Sequence, residues 1–336
     1  FVACKQVLED LIIHSEKSKT EYLSQFKEVE SLVDQANSIN DWWEVYTKLV
    51  KWQFDFETQS EESLGQILED QFQSCNKKFS SFIIQNYPQW VNSKERPTLS
   101  CDIFSNNVKP LLTNNSKTCL LVMDAMRFDQ FMALYPLFAE DYSIEIEPSV
   151  SLLPSATPYS RNAIFSGLFT DELCDKYPKQ KEEMVEDNGS LNNHEKELLS
   201  DQLKRNGFAD KKMHYHKIWY VAEGNKFQSM IKNYVNNDII AIVVNFVDQL
   251  AHRRSESDVL KEMVPDEAGY RKAVHSWYKN SWIRKVLQEL SNEGYNVIMT
   301  SDHGSVMVND SAIVAADKNS SSGVRYKYGV NINSPR

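Results

Sequence analysis

The sequence predicts an all-α helical bundle over residues 1–100, followed by an α/β domain over residues 101–336 with a largely parallel central sheet. Two observations support this division. Up to Tyr87 the chain contains a single glycine, Gly65, and no proline, which is typical of helices. After Pro97, short apolar runs alternate with segments of helical periodicity, which indicates parallel strands joined by helices.

In the bundle, apolar residues recur at helical spacing over 22–33, 45–50 and 64–72, which predicts three or four helices. This part is acidic, with ten Lys and Arg against sixteen Asp and Glu. Trp42, Trp43 and Trp52 are open to two interpretations, a partner-binding stripe or core packing. The core interpretation is favoured, because exposed aromatic patches are the exception in folded proteins.

In the α/β domain, buried strands are predicted over 120–123, 239–247 and 295–299. Residues 143–147 alternate between isoleucine and glutamate, which predicts a half-exposed or edge strand. Helices are expected over 160–168, 191–204 and 269–291. Segment 181–201 is polar, and we expect it to form an exposed insertion.

Composition narrows the classes of protein that fit. The chain has 336 residues, 41% hydrophobic and 25% charged, which excludes collagen-like, low-complexity and wholly disordered proteins. A net charge of −10 argues against binding nucleic acid or membrane through bulk charge, although a local basic pocket remains open. Five scattered cysteines without a C-x-x-C pair indicate reduced thiols. With no signal peptide and no apolar run of about 20 residues, we expect a soluble, cytoplasmic protein.

Carboxylates follow each of the three predicted buried strands. Asp124 follows the first, Asp248 with His252 four residues later follows the second, and Asp302-His303 follows the third. Taken singly, each has an ordinary explanation: a helix cap, a surface pair one helical turn apart, or a turn. Open α/β sheets carry their sites at the carboxyl ends of the strands, and Asp and His suit zinc or manganese. Three such placements together favour a metal site.

A fourth element is the start of the helix that follows residues 154–156. Pro158 is expected at the first helical position, which makes Thr157 the N-cap. A hydroxyl there lies among unpaired N–H groups, a favourable position for a phosphate. Arg161, one turn further, could hold a phosphate oxygen. Alone, Thr157 is a helix cap; beside a metal pair it becomes a potential nucleophile.

The order of these residues resembles that of the alkaline phosphatase superfamily. The local motifs resemble its PglZ branch, namely residues 122–129, 155–157, 164–167, 247–252 and 301–304. The leading bundle makes the chain similar to two-component response regulators of type IX secretion, in which a receiver domain precedes the bundle. Because the chain begins with Phe1 and contains no receiver, we expect the natural protein to extend further at its N-terminus.

The resemblance implies a zinc-dependent phosphohydrolase with two metals. Asp124, Asp302 and His303 would hold one zinc beside Thr157, and Asp248 and His252 would hold the second. Relatives complete the second site with a later histidine, whereas no histidine follows His303 here. Either the domain continues past Arg336 or the second metal binds weakly. The upstream pair His214 and His216 is the less favoured substitute.

The implied activity is hydrolysis of phosphodiesters, with nucleotides or short oligonucleotides as substrates. The resemblance also implies a homodimer, a partner sensor kinase, and partners in secretion or transcription. Two alternatives remain at this stage. One is a non-catalytic, metal-stabilised signalling or docking module, and the other is a phosphomonoesterase.

Overall fold

The structure, a computed structural model, divides the chain into two compact units, Phe1–Pro97 (the helical unit) and Thr98–Arg336 (the α/β unit). It describes residues 22–57, 62–186, 192–306, 312–317 and 332–333. The first 21 residues of the predicted bundle lie outside the described ranges, as does most of the chain after residue 306.

The described part of the helical unit is all α. Its helices are α1 over residues 22–35, α2 (Ile39–Glu57) and α3 (Glu62–Asn92). Trp52 of α2 lies against Tyr22 of α1, with ring centroids 4.5 Å apart. Trp42 is buried and makes an edge contact with Phe79 of α3 at 5.3 Å. The core interpretation of these two tryptophans is therefore confirmed, while Trp43 is only half-buried.

A four-stranded parallel sheet organises the α/β unit, as the sequence predicted. Its strands are β1 (Thr118–Met123), β2 (Met213–Ile218), β3 (Ile239–Val244) and β4 (Asn296–Thr300). Their order is β2-β3-β1-β4, and every pairing is parallel. Both central strands are buried along their whole length, which explains why their sequences are continuous apolar runs.

Helices cover both faces of the sheet, because alternate strand residues point to opposite sides. The helices described in this unit are α4 (Lys109–Thr113), α5 (Phe128–Phe138), α6 (Thr157–Ser166), α7 (Thr170–Lys176), α8 (Pro178–Glu186), α9 (Glu195–Arg205), α10 (Val221–Met230), α11 (Phe246–Glu256), α12 (Asp258–Met263), α13 (Glu267–Asn280) and α14 (Trp282–Asn292). One face of the sheet carries Leu121 and Ile242 and packs against α5, α10, α13 and α14. The other face carries Leu120 and Ala241 and packs against α4, α6 and α9.

Four sequence-based expectations were wrong in detail. The strand predicted as buried over 295–299 is β4, which lies at the edge of the sheet with side chains that are half-buried or exposed. Residues 143–147 form no strand, because only Ile144 packs against the core while Ile146 is exposed. The helix expected over 269–291 is interrupted at Ser281, whose backbone is extended between α13 and α14. The apolar run 239–247 continues past the sheet, since β3 ends at Val244 and α11 begins at Phe246.

Segment 181–201 is not wholly an exposed insertion. The side chains of residues 183–191 lie outside the described part of the chain. The later part of the segment belongs to α9, which begins at Glu195 and packs on the sheet. Leu198 and Leu199 of this helix are fully buried. The polar composition misled the prediction, because Glu195 itself is buried and ion-paired.

Among the described residues, no helix has the length and apolar character needed to cross a membrane.

Gly224 in α10 lies directly against Trp282 of α14. A Cβ at this position would lie 2.0 Å from Nε1 of Trp282 in α14. We expect Gly224→Ala to lower the free energy of unfolding by about 1–3 kcal/mol through overpacking, in spite of alanine's better helix propensity. Urea denaturation measures the change. Asn225→Ala, the exposed neighbour, should be neutral or stabilising, and equal behaviour of the two variants would contradict this packing.

Candidate active site

The carboxyl edge of the sheet collects the acidic residues that follow its strands. Asp124 directly follows β1, and Asp302 lies two residues after β4. Because β1 and β4 are parallel neighbours whose carboxyl ends lie side by side, the two aspartates are close together. The backbone N–H of Ala125 donates to Oδ1 of Asp302 at 3.3 Å, which links the two strand ends. Ala125 has a φ of 60°, in the left-handed region, so the chain turns sharply there after β1.

Asp248 reaches this edge from a helix rather than from a strand end. It lies in the first turn of α11, three residues after Asn245, the N-cap. Ligand atoms of Asp124, Asp248 and His303 all lie within 4.8 Å of one another. The prediction that Asp248 shares the sheet edge with Asp124 therefore agrees with the structure, although the strand before it is shorter than expected.

His303 is oriented by its own loop. Its Nδ1 is 3.0 Å from the carbonyl oxygen of Gly304, which can only accept, so Nδ1 carries the proton. The lone pair of Nε2 therefore points to the site. Nε2 is 2.8 Å from Oγ1 of Thr157 and 3.6 Å from Oδ1 of Asp124. A single lone pair can accept the Thr157 proton or bind a metal, but not both at once.

Thr157 begins α6, and its hydroxyl faces the histidine. The sequence predicted Thr157 as the N-cap, but α6 begins one residue earlier than expected, with Ala156 as its N-cap. Thr157 therefore occupies the first helical position and Pro158 the second. The fixed φ of proline suits this first turn. The threonine side chain is consequently placed by backbone geometry at the same edge as Asp124 and Asp302.

Arg161 is the central cation of the site, and only 1% of its side chain is exposed. Its Nη1 donates to Oδ2 of Asp124 at 2.7 Å, and its Nε donates to Oε1 of Glu195 at 2.6 Å. The same Nη1 donates to Oδ1 of Asn245 at 3.2 Å and lies 3.8 Å from Oδ2 of Asp302. The structure thus surrounds Arg161 with protein acceptors, whereas the sequence predicted contact with a phosphate.

Glu195 is the buried partner of Arg161 that sequence reasoning missed. It is buried, and besides Arg161 it accepts from the hydroxyl of Tyr215 and lies 3.3 Å from the ammonium of Lys217. A glutamate in a polar, Asn-rich segment carries no signal of burial by itself. Tyr215 and Lys217, two residues apart on β2, share one strand face, which was the available hint.

Negative charge exceeds positive charge in this cluster, and the excess fits a divalent cation. The cluster contains four carboxylates, those of Asp124, Asp248, Asp302 and Glu195, but two cationic side chains, those of Arg161 and Lys217. Oδ1 of Asp124 and Oδ2 of Asp302 are buried without a hydrogen-bond partner among the described residues. Buried oxygens in that state are costly unless an ion or water reaches them.

The electrostatic cost appears in the pKa of Asp124. Burial and the neighbouring Asp302 raise it to about 6, although Arg161 opposes the shift. Burial and Asp124 also raise the pKa of Asp248. Both shifts have the sign expected of carboxylates that lack a sufficient positive partner.

The remaining histidines proposed as metal ligands are not grouped with Asp124, Asp248 and His303. His252 is 75% exposed, with Nε2 3.5 Å from Oδ1 of Asp248. His214 and His216 lie on edge strand β2, in an aromatic stack with Tyr234 at 3.7 Å and Phe227 at 4.6 Å, respectively. Burial lowers the pKa of both histidines, to about 4 for His214. This surrounding is aromatic packing, which does not favour them as substitutes at the second metal.

The carboxyl edge of the parallel sheet thus gathers aspartates, a histidine and a threonine hydroxyl. The family model of the BREX system PglZ alkaline phosphatase-like domain matches residues 103–328, about two thirds of the chain. The chain belongs to the PglZ family. This membership supports a phosphoesterase-type hydrolase.

A second family model, the PorX response regulator linker domain, matches residues 12–91. The helical unit is therefore similar to the linker of a response regulator, and signalling partners are in keeping with it. A comparison with curated proteins found no match.

Metal binding should stabilise the protein in a pH-dependent manner. In the metal-free protein Asp124 favours its protonated form, so its contribution to stability is lost as pH rises through about 6. A metal needs the carboxylate, so the rise in melting temperature caused by zinc should be small near about pH 5 and larger near about pH 7.5. Differential scanning fluorimetry measures both, with Asp124→Asn as control. An equal zinc effect at the two pH values would contradict the assignment.

Breaking the Arg161–Glu195 pair should be costly. Glu195→Gln leaves Arg161 and Lys217 without their shared carboxylate, and we expect the free energy of unfolding to fall by about 3–5 kcal/mol. Glu140→Gln is the matched control, because it removes the same charge from an exposed pair with Arg284 and should cost at most about 1 kcal/mol. Urea denaturation of both variants tests the difference, and similar losses would refute the buried pairing.

Proposed function

We propose that the protein is a metal-dependent phosphodiesterase acting on nucleotides or short oligonucleotides, and the output domain of a cytoplasmic two-component response regulator that controls protein secretion. The observation that carries the enzymatic part is the Thr157 hydroxyl, 2.8 Å from Nε2 of His303 beside three aspartates. The linker match of residues 12–91 supports the regulatory part. Zinc is the metal that the mixed Asp and His ligand set favours.

Asp124, Asp302 and His303 would hold the principal metal, and Asp248 with His252 a second, weaker one. The unpartnered oxygens of Asp124 and Asp302 support the first assignment. The second site would have two assigned ligands, Asp248 and the exposed His252, whereas a stable zinc site has at least three protein ligands. We therefore expect weaker binding there. A bound divalent cation would polarise the phosphate and lower the pKa of the Thr157 hydroxyl.

Thr157 supplies the attacking oxygen in this proposal. Its Oγ1 forms a bond to phosphorus while the bond from phosphorus to the leaving oxygen breaks, and the hydroxyl proton ends on the leaving alcohol. The threonine then carries the phosphate together with the second ester group. Water cleaves the bond between phosphorus and Oγ1, which releases a phosphomonoester and regenerates the hydroxyl. Thr157 lies at the N-terminus of α6, where the positive end of the helix dipole favours the phosphate's negative charge. Arg161, held by carboxylates, would act mainly by keeping Asp124 in place.

Replacement of Thr157 tests the nucleophile. We expect Thr157→Ala to reduce the turnover of bis(p-nitrophenyl) phosphate by a factor of about 10² or more, because the reacting oxygen is removed. Thr157→Ser keeps the oxygen and should retain most of the activity. Zinc content by elemental analysis should be the same in both variants. Near-wild-type turnover of the alanine variant would reduce Thr157 to a helix-start residue.

The same variant separates catalysis from docking. A folded, metal-loaded Thr157→Ala protein that retained its full cellular role would favour a signalling module over an enzyme. Loss of that role together with loss of turnover supports the phosphodiesterase. The ratio of bis(p-nitrophenyl) phosphate to p-nitrophenyl phosphate hydrolysis distinguishes diesterase from monoesterase activity.

A further inference from the structure

Three consecutive large apolar side chains are exposed where β2 ends. Trp219, Tyr220 and Val221 are 40%, 58% and 58% exposed, directly after the buried Ile218. Single exposed apolar residues are ordinary, but adjacent aromatic rings left open to solvent indicate an interaction site. We call Trp219 and Tyr220 the aromatic rim.

The aromatic rim is connected through Asn245 to the acidic cluster, the group formed by Asp124, Asp248, Asp302 and Glu195. The backbone and side-chain N–H groups of Asn245 both donate to the carbonyl oxygen of Ile218, at 3.1 Å and 3.0 Å. Oδ1 of the same asparagine accepts from Arg161, which also holds Asp124. Ile218, the residue before the aromatic rim, therefore contacts Asn245, and Asn245 contacts Arg161, the ion-pair partner of Asp124. The rim thus begins at the same carboxyl edge of the sheet as Asp124.

The rim is held in place rather than left as a loose loop. Gln249, next to Asp248 in α11, donates to the carbonyl oxygen of Trp219 at 2.8 Å. The backbone N–H groups of Trp219 and Tyr220 both donate to Oε2 of Glu223. The ammonium of Lys217 lies 5.3 Å from the centroid of the Trp219 ring. A pre-ordered ring loses little conformational entropy when a ligand stacks on it.

We propose that the aromatic rim is a stacking subsite for a nucleobase joined to the phosphate that the acidic cluster receives. Aromatic side chains bind bases by stacking, with little dependence on which base is presented. A chain of net charge −10 offers little long-range attraction to a polyanion, so stacking rather than charge would supply the affinity. The inference rests on the proposed function, because it names the substrate group bound beside the reacting phosphate.

The binding test compares AMP with ribose 5-phosphate, which has the same phosphate and sugar but no base. In isothermal titration calorimetry of the full chain loaded with zinc, AMP should bind roughly 5- to 150-fold more tightly than ribose 5-phosphate. Trp219→Ala should abolish most of this preference and leave the affinity for ribose 5-phosphate within about twofold. Trp219→Phe keeps a ring and should restore part of it.

Ile84→Ala is the matched control, since Ile84 is an exposed apolar residue of the helical unit, and it should leave both affinities unchanged. Circular dichroism verifies that each variant is folded. Equal affinity of the wild-type protein for AMP and ribose 5-phosphate would overturn the subsite. So would a preference for AMP that survives in Trp219→Ala.

A kinetic comparison separates this inference from the proposed function. The substrates are thymidine 5′-phosphate p-nitrophenyl ester, with a base, and methyl p-nitrophenyl phosphate, without one. Hydrolysis of both, with a rate ratio that Trp219→Ala leaves unchanged and no preference for AMP, refutes the rim and retains the phosphodiesterase. Hydrolysis of neither, together with Trp219-dependent binding of AMP, refutes the phosphodiesterase and retains the rim.

Discussion

The buried guanidinium of Arg161 is the constraint on which the α/β unit's site depends. A charge removed from water is tolerated only where opposite charges and hydrogen bonds replace its hydration. Asp124 from the end of β1, Glu195 from the start of α9 and Asn245 from the start of α11 supply those partners. The ends of three elements are therefore fixed relative to α6, which carries both Arg161 and Thr157.

The same arrangement leaves negative charge uncompensated, and that excess connects stability to function. Arg161 occupies one oxygen of Asp124, and the other is buried without a hydrogen-bond partner in the part of the chain that the structure describes. The raised pKa of Asp124 expresses the resulting cost to the metal-free fold. A site that is destabilised when empty and relieved by a cation would suit the metal-dependent hydrolase proposed above. Lys217 limits the excess by pairing with Glu195.

Orientation of the reacting groups depends on backbone geometry more than on side-chain packing. The carbonyl of Gly304 fixes the tautomer of His303, and the first turn of α6 directs the Thr157 hydroxyl to its Nε2. On the β2 side of the same edge, Glu223 and Gln249 hold the backbone of Trp219. The proposed nucleophile, Thr157, and the proposed stacking residue, Trp219, thus both lie at the ends of ordered helices or strands. Such positions hold a side chain more precisely than a loop does.

The sequence by itself determined the fold class, the three apolar strands β1, β3 and β4, and the residues Asp124, Thr157, Asp302 and His303 that the structure brings together. These follow from local patterns, namely apolar runs and what comes directly after them. Only the tertiary structure decided that Glu195 is buried, that Asn245 connects β2 to Arg161, and that Asp248 approaches from a helix. Those facts depend on which distant elements pack together: Arg161 and Glu195 are 34 positions apart, and Asp124 and Arg161 are 37. The periodicity of one segment carries no information about its partner across such a separation, because ion pairing is decided by packing rather than by sequence neighbours.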